Sequence, residues 1–265
     1  MDKHYATLAL EQPGPGILQV TLNRPEFRNA LNTQMGLDLR DVFRDGLNRD
    51  PGAARCVVVT GAGNKAFCAG GDLKQRDGMS DEAWRAQHVI FEQAIYGIME
   101  CPLPVIAAVN GAAFGGGCEI ALACDFAYAS ASARFALTEV TLGILPGCGG
   151  TQNLPRIATG PRAKEILMTG RPFSSQEALA WGIVNRVCEP ASLLAEALDT
   201  AAAICANAPL SVKNIKQAVN GGLQTDLKSA LKLELAAYDA VYVSADRREG
   251  VRAFNEKRQA KFSGN

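Results

Sequence analysis

The chain has 265 residues, 48% of them apolar and 20% charged, which suits one large globular body with a sizeable core. Lys+Arg 27 against Asp+Glu 27 leaves no net charge to draw it toward nucleic acid or an anionic membrane. Its start, MDKHYATLALEQPGPG, lacks a long apolar segment beside a basic one, and no stretch reaches roughly 18 apolar residues, so neither a secretory signal nor a spanning helix is expected and the expected compartment is the cytoplasm.

Ile17–Leu22 alternates and is β-branched, so it reads as a strand, paired with Tyr5–Leu10 across the Pro13-Gly14-Pro15-Gly16 turn. After Arg24-Pro25, the residues Leu31, Met35, Leu39, Val42 and Leu47 fall near helical spacing, with Asn32 or Thr33 as the N-cap. Cys56–Thr60 is a short apolar strand of the kind buried on both faces. A loop over Gly61–Leu73 precedes a polar helix from about Ser80 to Glu100, begun by a serine cap with acids behind it. Val105–Val109 is the next buried strand and leads through Asn110-Gly111 to the run Gly115-Gly116-Gly117 and an apolar helix. Asp125–Ala129 and Arg134–Ala136 read as further strands, and Ile183–Val187 as the last. Strand, glycine loop and helix, met at 56–100 and again at 105–124, indicate an α/β core with parallel strands wound in two similar turns. Helices are expected over Pro161–Met168, from the capping box Ser174–Glu177 to the stop at Gly182, and over 191–206, 209–220 and about 225–244, ahead of a basic tail. The division is therefore a body over 1–190 and a helical region over 191–265, with subunit association as the second part's expected job.

The organising stretch is Phe114–Ala129, FGGGCEIALACDFAYA, with the loop Thr138–Thr151, TEVTLGILPGCGGT. Glycines without a Cβ let a ligand approach their N–H groups, and the first N–H groups of a helix lack internal partners at the positive end of its dipole. Such a place holds an anion, or an oxygen that becomes one during reaction. Glu119 lies in that first turn, and Glu139 follows in the loop. Each glycine loop follows a buried strand and precedes a helix, which brings both to one end of a sheet. One N–H from Ala69-Gly70-Gly71 and one from Gly115-Gly116-Gly117 can then converge on a single carbonyl oxygen, an oxyanion hole. Plainer readings exist: Glu119 as an ordinary first-turn acid, and Glu139 as a cap on a helix at Gly149-Gly150-Thr151.

Other motifs lead elsewhere and fail. Val57–Ala66 matches a strand followed by GxGxxA, with Asp81 where a ribose-binding acid would sit, yet Phe67–Gly71 prolongs the loop and no helix begins inside the glycines. Eight cysteines without a CxxC pair read as small core residues rather than a disulfide or zinc framework. The two histidines, His4 and His88, give a catalytic triad or metal site little to work with, so neither a metal nor a redox cofactor is expected.

The stretches NRPEFRNALN, KAFCAGGDLK, NGAAFGGGCEIALACD, FALTEVTLGILPGCGGTQNLPR and the ending AFNEKR, in that order, resemble the enoyl-CoA hydratase/isomerase (crotonase) family from near residue 7 to the tail. The resemblance implies a spiral of ββα units with a C-terminal helical trimerisation region, commonly a dimer of trimers. It implies a coenzyme A thioester whose C=O rests between the N–H groups of Gly71 and Gly116, with Glu119 and Glu139 holding a water for addition to an enoyl-CoA. By the same resemblance Glu119 is the base and Glu139 the source of the α-proton. Arg28 and Ala30, then Lys65, Ala69, Asp72 and Leu73, are the implied coenzyme A contacts, and Phe254 and Lys257 reach a neighbouring subunit's ligand. For Arg28 and Lys65 the plainer reading is a solvated loop cation.

Gly71 stands where the family commonly has alanine, and Thr138 and Cys148 replace its usual proline and alanine. Gln75–Gln93 is expected to shape the acyl pocket. Double-bond isomerases of the family are commonly served by a single acid, so two glutamates favour hydration. The segment DLKQRDGMS also resembles the methylglutaconyl-CoA hydratase branch, some of whose members bind RNA. Against RNA binding here, Asp38, Asp41 and Asp45 alternate with Arg40, Arg44 and Arg49, which reads as a salt-bridged surface.

Overall fold

The computed structural model describes residues 3–265. Strand β1 (Leu8–Gly14) runs antiparallel to β2 (Ile17–Leu22), with Leu8 opposite Leu22. The hairpin starts three residues later than expected, because Thr7 is held elsewhere: its N–H and hydroxyl donate to Asp38 at 3.0 and 2.7 Å. Asp38 lies on α1 (Thr33–Arg40), whose N-cap Asn32 accepts from the Met35 N–H. The helix continues as a π-helical turn over Asp41–Leu47.

From there the chain winds in a spiral. Strands β3 (Cys56–Gly61) and β4 (Ala66–Cys68) precede α2 (Leu73–Arg76) and α3 (Asp81–Met99). Strands β5 (Val105–Val109) and β6 (Ala112–Phe114) precede α4 (Gly116–Ala123). Strands β7 (Phe126–Ser130) and β8 (Arg134–Ala136) precede α5 (Gly150–Ala158) and α6 (Gly160–Thr169). The first strand of each pair enters a six-stranded sheet of order β1-β2-β3-β5-β7-β10, and the second enters a four-stranded sheet of order β4-β6-β8-β9. Strand β9 (Phe173–Ser174), α7 (Ser175–Ala180) and β10 (Arg186–Cys188) close the body. Ser174 and Glu177 form the expected capping box. The small sheet is the feature the sequence reading lacked beyond β8, since strands of two or three residues carry almost no periodicity.

The central strands of the large sheet are buried on both faces and divide by alternate residues. Val57, Val59, Val105 and Ala107 face the main core with α1, α3 and α4, while Cys56, Val58, Ile106 and Ala108 face Leu193, Ala197 and Ala201 of α8 (Leu193–Cys205). The first helix of the C-terminal region is thus packed on the body's sheet. Beyond it, α9 (Pro209–Gly222) and α10 (Leu227–Tyr242) form a hairpin in which no residue is buried. A final helix, α11 (Ala245–Asn255), occupies residues expected to begin a basic tail; Ser244 caps it by accepting from Arg247. No single helix among the described residues is long and apolar enough to cross a membrane.

Candidate active site

Strands β4 and β6 are parallel neighbours in the small sheet, with Ala66 beside Ala112 and Cys68 beside Ala113. Each runs directly into one of the two glycine loops. The loops therefore leave the same edge of one hydrogen-bonded ladder, as required for their amides to meet. Gly117 shows how close the backbones come: a Cβ there would lie 2.1 Å from the Cys68 carbonyl oxygen. Gly70, in the left-handed region at φ +95, would place a Cβ 2.7 Å from the Phe114 carbonyl oxygen.

Two amides are turned away from these contacts. Gly71 bridges Leu31 in parallel fashion, with Leu31 N–H donating to Gly70 and Asp72 N–H donating to Leu31. In that pattern Gly71's own N–H faces the opposite side. Gly116 is the first residue of α4, where a helical N–H has no internal acceptor. Both glycines line a cavity of about 830 Å³, together with Glu119 and Glu139.

The two carboxylates differ in their surroundings. Glu119 is buried in the first turn of α4, and its Oε1 accepts from the N–H groups of Cys148 and Gly150 at 2.7 and 2.9 Å. Burial raises its pKa, and those two N–H groups pull it back. The helix start at Gly150 is thus served by Glu119, and Glu139 has no part in it. Glu139 opens a 3-10 turn (Glu139–Leu142) and lies against Gly115, where a Cβ would be 3.0 Å from its Oε1. Its Oε2 is buried without a hydrogen-bond partner among the described residues. Burial first, and then the neighbouring Glu119, push the Glu139 carboxyl up to about 7.

Ala69 and Leu73 also line the cavity. Arg28 is exposed and in the left-handed region at φ 53, with its carbonyl accepting from the Ala69 N–H at 3.1 Å. The Ala30 carbonyl accepts from Arg24 Nη1 at 2.6 Å. Lys65 is an exposed loop side chain. The Asp72 carboxylate is already engaged, pairing with Arg24 at 3.1 Å and capping α2 through the Gln75 N–H. Phe254 and Lys257 do not line the cavity; they lie at the end of α11, and Phe254 is 83% exposed.

His88 lines this cavity, with Nε2 3.3 Å from Glu92 Oε1. Like Arg76, it falls in the stretch expected to shape the acyl pocket, though nothing in the sequence singles out either side chain. Arg76 lines the cavity from the end of α2, and burial pulls its pKa down. Its partners Trp84 and Gln87 are on a different helix, so no spacing within one element reveals the group. The opposed charges expected on the first helix pair in part: Asp45 lies 3.8 Å from Arg40 and 3.3 Å from Arg49, while Asp41 pairs with Lys3 and Asp38 accepts from Thr7.

The family model for enoyl-CoA hydratase/isomerase matches residues 13–265. The chain belongs to that family. It is 40% identical over 241 residues to crotonyl-CoA hydratase of Syntrophomonas wolfei, an alignment covering 91% of this chain and 92% of the relative. It is 40% identical over 250 residues to short-chain-enoyl-CoA hydratase of Clostridium acetobutylicum, covering 94% and 95% respectively. The crystal structure of enoyl-CoA hydratase from Bacillus anthracis superposes with a TM-score of 0.95 at 41% identity, over 98% of this chain and 100% of that one. The crotonase-type spiral expected from the sequence is therefore the fold of this chain.

Proposed function

We propose that the cavity hydrates a 2-enoyl-CoA thioester to the 3-hydroxyacyl-CoA. One observation carries this reading: two outward-facing amides, on the glycine loops that follow adjacent parallel strands, share a cavity with two glutamates. The thioester C=O rests between the N–H groups of Gly71 and Gly116. As water oxygen bonds to Cβ, negative charge gathers on that carbonyl oxygen, and losing either donor typically costs about 3 kcal/mol of transition-state stabilisation. Glu119, fixed through Oε1, takes a proton from the attacking water with its other oxygen. Glu139, whose carboxyl is held up to about 7, gives its proton to Cα. Passage of the proton from Glu119 to Glu139 after turnover restores the starting state, and no electron transfer is needed.

Under this reading Arg28, Ala30, Lys65, Ala69, Asp72 and Leu73 meet coenzyme A. The apolar side chains left exposed on the α9–α10 hairpin, Leu231, Leu235 and Tyr238 among them, suit a trimer contact that would bring Phe254 and Lys257 to a neighbour's ligand. The eight free buried cysteines suit a reducing compartment such as the cytoplasm. The test is loss of the enoyl-thioester absorbance band with thioesters of several chain lengths, with the products separated. A 3-hydroxyacyl product supports hydration; a shifted double bond without added water overturns it in favour of isomerisation.

A further inference from the structure

Glu119 is aimed by a segment with few side chains of its own. Pro146–Gly150 reads PGCGG, and its Cys148 and Gly150 N–H groups hold Glu119 Oε1 at 2.7 and 2.9 Å. Three glycines in five residues leave such a backbone many alternative conformations, so its shape has to be imposed by what it packs against. Inside the segment the fit is close: a Cβ on Gly150 would lie 2.8 Å from Pro146 Cβ and 3.2 Å from Glu119 Cγ. Support from outside comes from α3. The His88 imidazole occupies the place a Cβ on Gly147 would take, with Nε2 2.8 Å from that point and Cε1 closer still. Glu92, one turn along α3, faces His88 Nε2 at 3.3 Å through Oε1. Beyond the segment, Asn153 Nδ2 meets Met99 Sδ at the end of the same helix, at 3.6 Å.

We propose that His88, steadied by Glu92, is a positioning residue for Glu119: its ring props the backbone of Gly147–Gly150, so that two N–H groups stay on Oε1 and the other oxygen stays turned to the attacking water. This rests on the reading of Glu119 as the base of a hydration. The link runs from the His88 ring to Gly147, through the next peptide to the Cys148 N–H, and from there to the carboxylate. Only a glycine at 147 lets the imidazole lie this near the main chain, so the ring and the missing side chain belong together. Without the ring, a glycine-rich backbone is free to relax into the space, and the carboxylate it grips moves with it. A misplacement of about 1 Å at a reacting group can cost about 100-fold in rate.

Hydrogen exchange and turnover test the link separately. In His88→Ala the Cys148 and Gly150 N–H groups should exchange roughly two- to tenfold faster as their bonds to Glu119 loosen. Turnover of crotonyl-CoA should fall by about 10- to 100-fold, while binding of butyryl-CoA, which cannot be hydrated, stays nearly intact, so the loss is in kcat rather than KM. Added to Glu119→Gln, His88→Ala should slow turnover by less than about twofold more, because the group it positions is already gone. Gly147→Ala should be slow by itself and faster again when combined with His88→Ala, which makes room for the methyl. Unchanged exchange at Cys148 and Gly150 in His88→Ala overturns the prop, whatever the reaction. Loss of butyryl-CoA binding in step with turnover also overturns it, by making His88 a ligand contact, as does a fully additive loss on top of Glu119→Gln. If the intact protein turns over no enoyl thioester, the hydration reading falls, and faster exchange in His88→Ala still carries the link from His88 to Glu119.

Discussion

Glu119 and Glu139 enter one cavity from two different kinds of backbone. Glu119 sits on a helix that starts from a parallel ladder, and two N–H groups of a following segment hold one of its oxygens. Glu139 sits on a short 3-10 turn, with one oxygen against a glycine and the other buried alone. A fixed, bonded carboxylate suits a base that must be deprotonated and aimed. A desolvated one with an unsatisfied oxygen keeps its proton, which suits an acid. In the proposed reaction, environment rather than residue type separates the two roles.

The largest effects should come from removing either member of the pair. Glu139→Gln and Glu119→Gln should each slow hydration of crotonyl-CoA by about 100- to 10,000-fold. Binding of a saturated thioester should stay nearly intact in Glu139→Gln. A Glu139→Gln variant with near-full turnover would remove the acid assignment.

Next comes the close approach behind the amides. Gly117→Ala places a Cβ 2.1 Å from the Cys68 carbonyl oxygen and must push the glycine loops apart. It should cost about 1–3 kcal/mol in a denaturant titration. Turnover should fall about 100-fold as one donor leaves the carbonyl oxygen.

The pH dependence sharpens the comparison between the acids. If Glu139 is the acid proposed above it must be protonated to act, so kcat should fall as pH rises through about 7, and that alkaline limb should be lost in the Gln variant. Stability moves in the same direction. A carboxyl whose folded pKa is raised penalises the folded state once pH exceeds its unfolded value, and the penalty grows until about 7. Thermal melts should therefore show the parent losing stability between pH 5 and pH 8 relative to Glu139→Gln, with flat behaviour above that window.

The smallest effect belongs to Gly71→Ala. Gly71 is outside the left-handed region, and the added Cβ would meet Arg76 Nη1 at 3.4 Å, an ordinary contact. Stability should change by no more than about 0.5 kcal/mol, and hydration of crotonyl-CoA should persist. A collapse of activity would show that this position is tighter than its neighbours indicate.

Much of this was legible in the residues. Cys56–Thr60 and Val105–Val109 read as buried strands because apolar side chains face both cores, and Asn32, Ser80 and Ser174 read as caps because their side chains bond the first N–H groups. The glycine loops and both glutamates read as a site. Other features depend on contacts between distant segments. Strand β1 begins at Leu8 because Asp38 occupies Thr7, and nothing local at residues 5–7 reports that. Arg76 owes its place to Gln87 and Trp84 across a turn, and α11 has an apolar face too sparse to stand out among its charges.

The loops that carry the two amides leave β4 and β6, so the side by side placement of those loops comes from backbone pairing rather than from any side chain. Apart from Glu119 on α4, the side chains that line the rest of the cavity hang largely on other segments, 73–93 and 138–148. Rewriting those segments can retool the reaction or its clientele while the clamp on the carbonyl stays as the sheet made it.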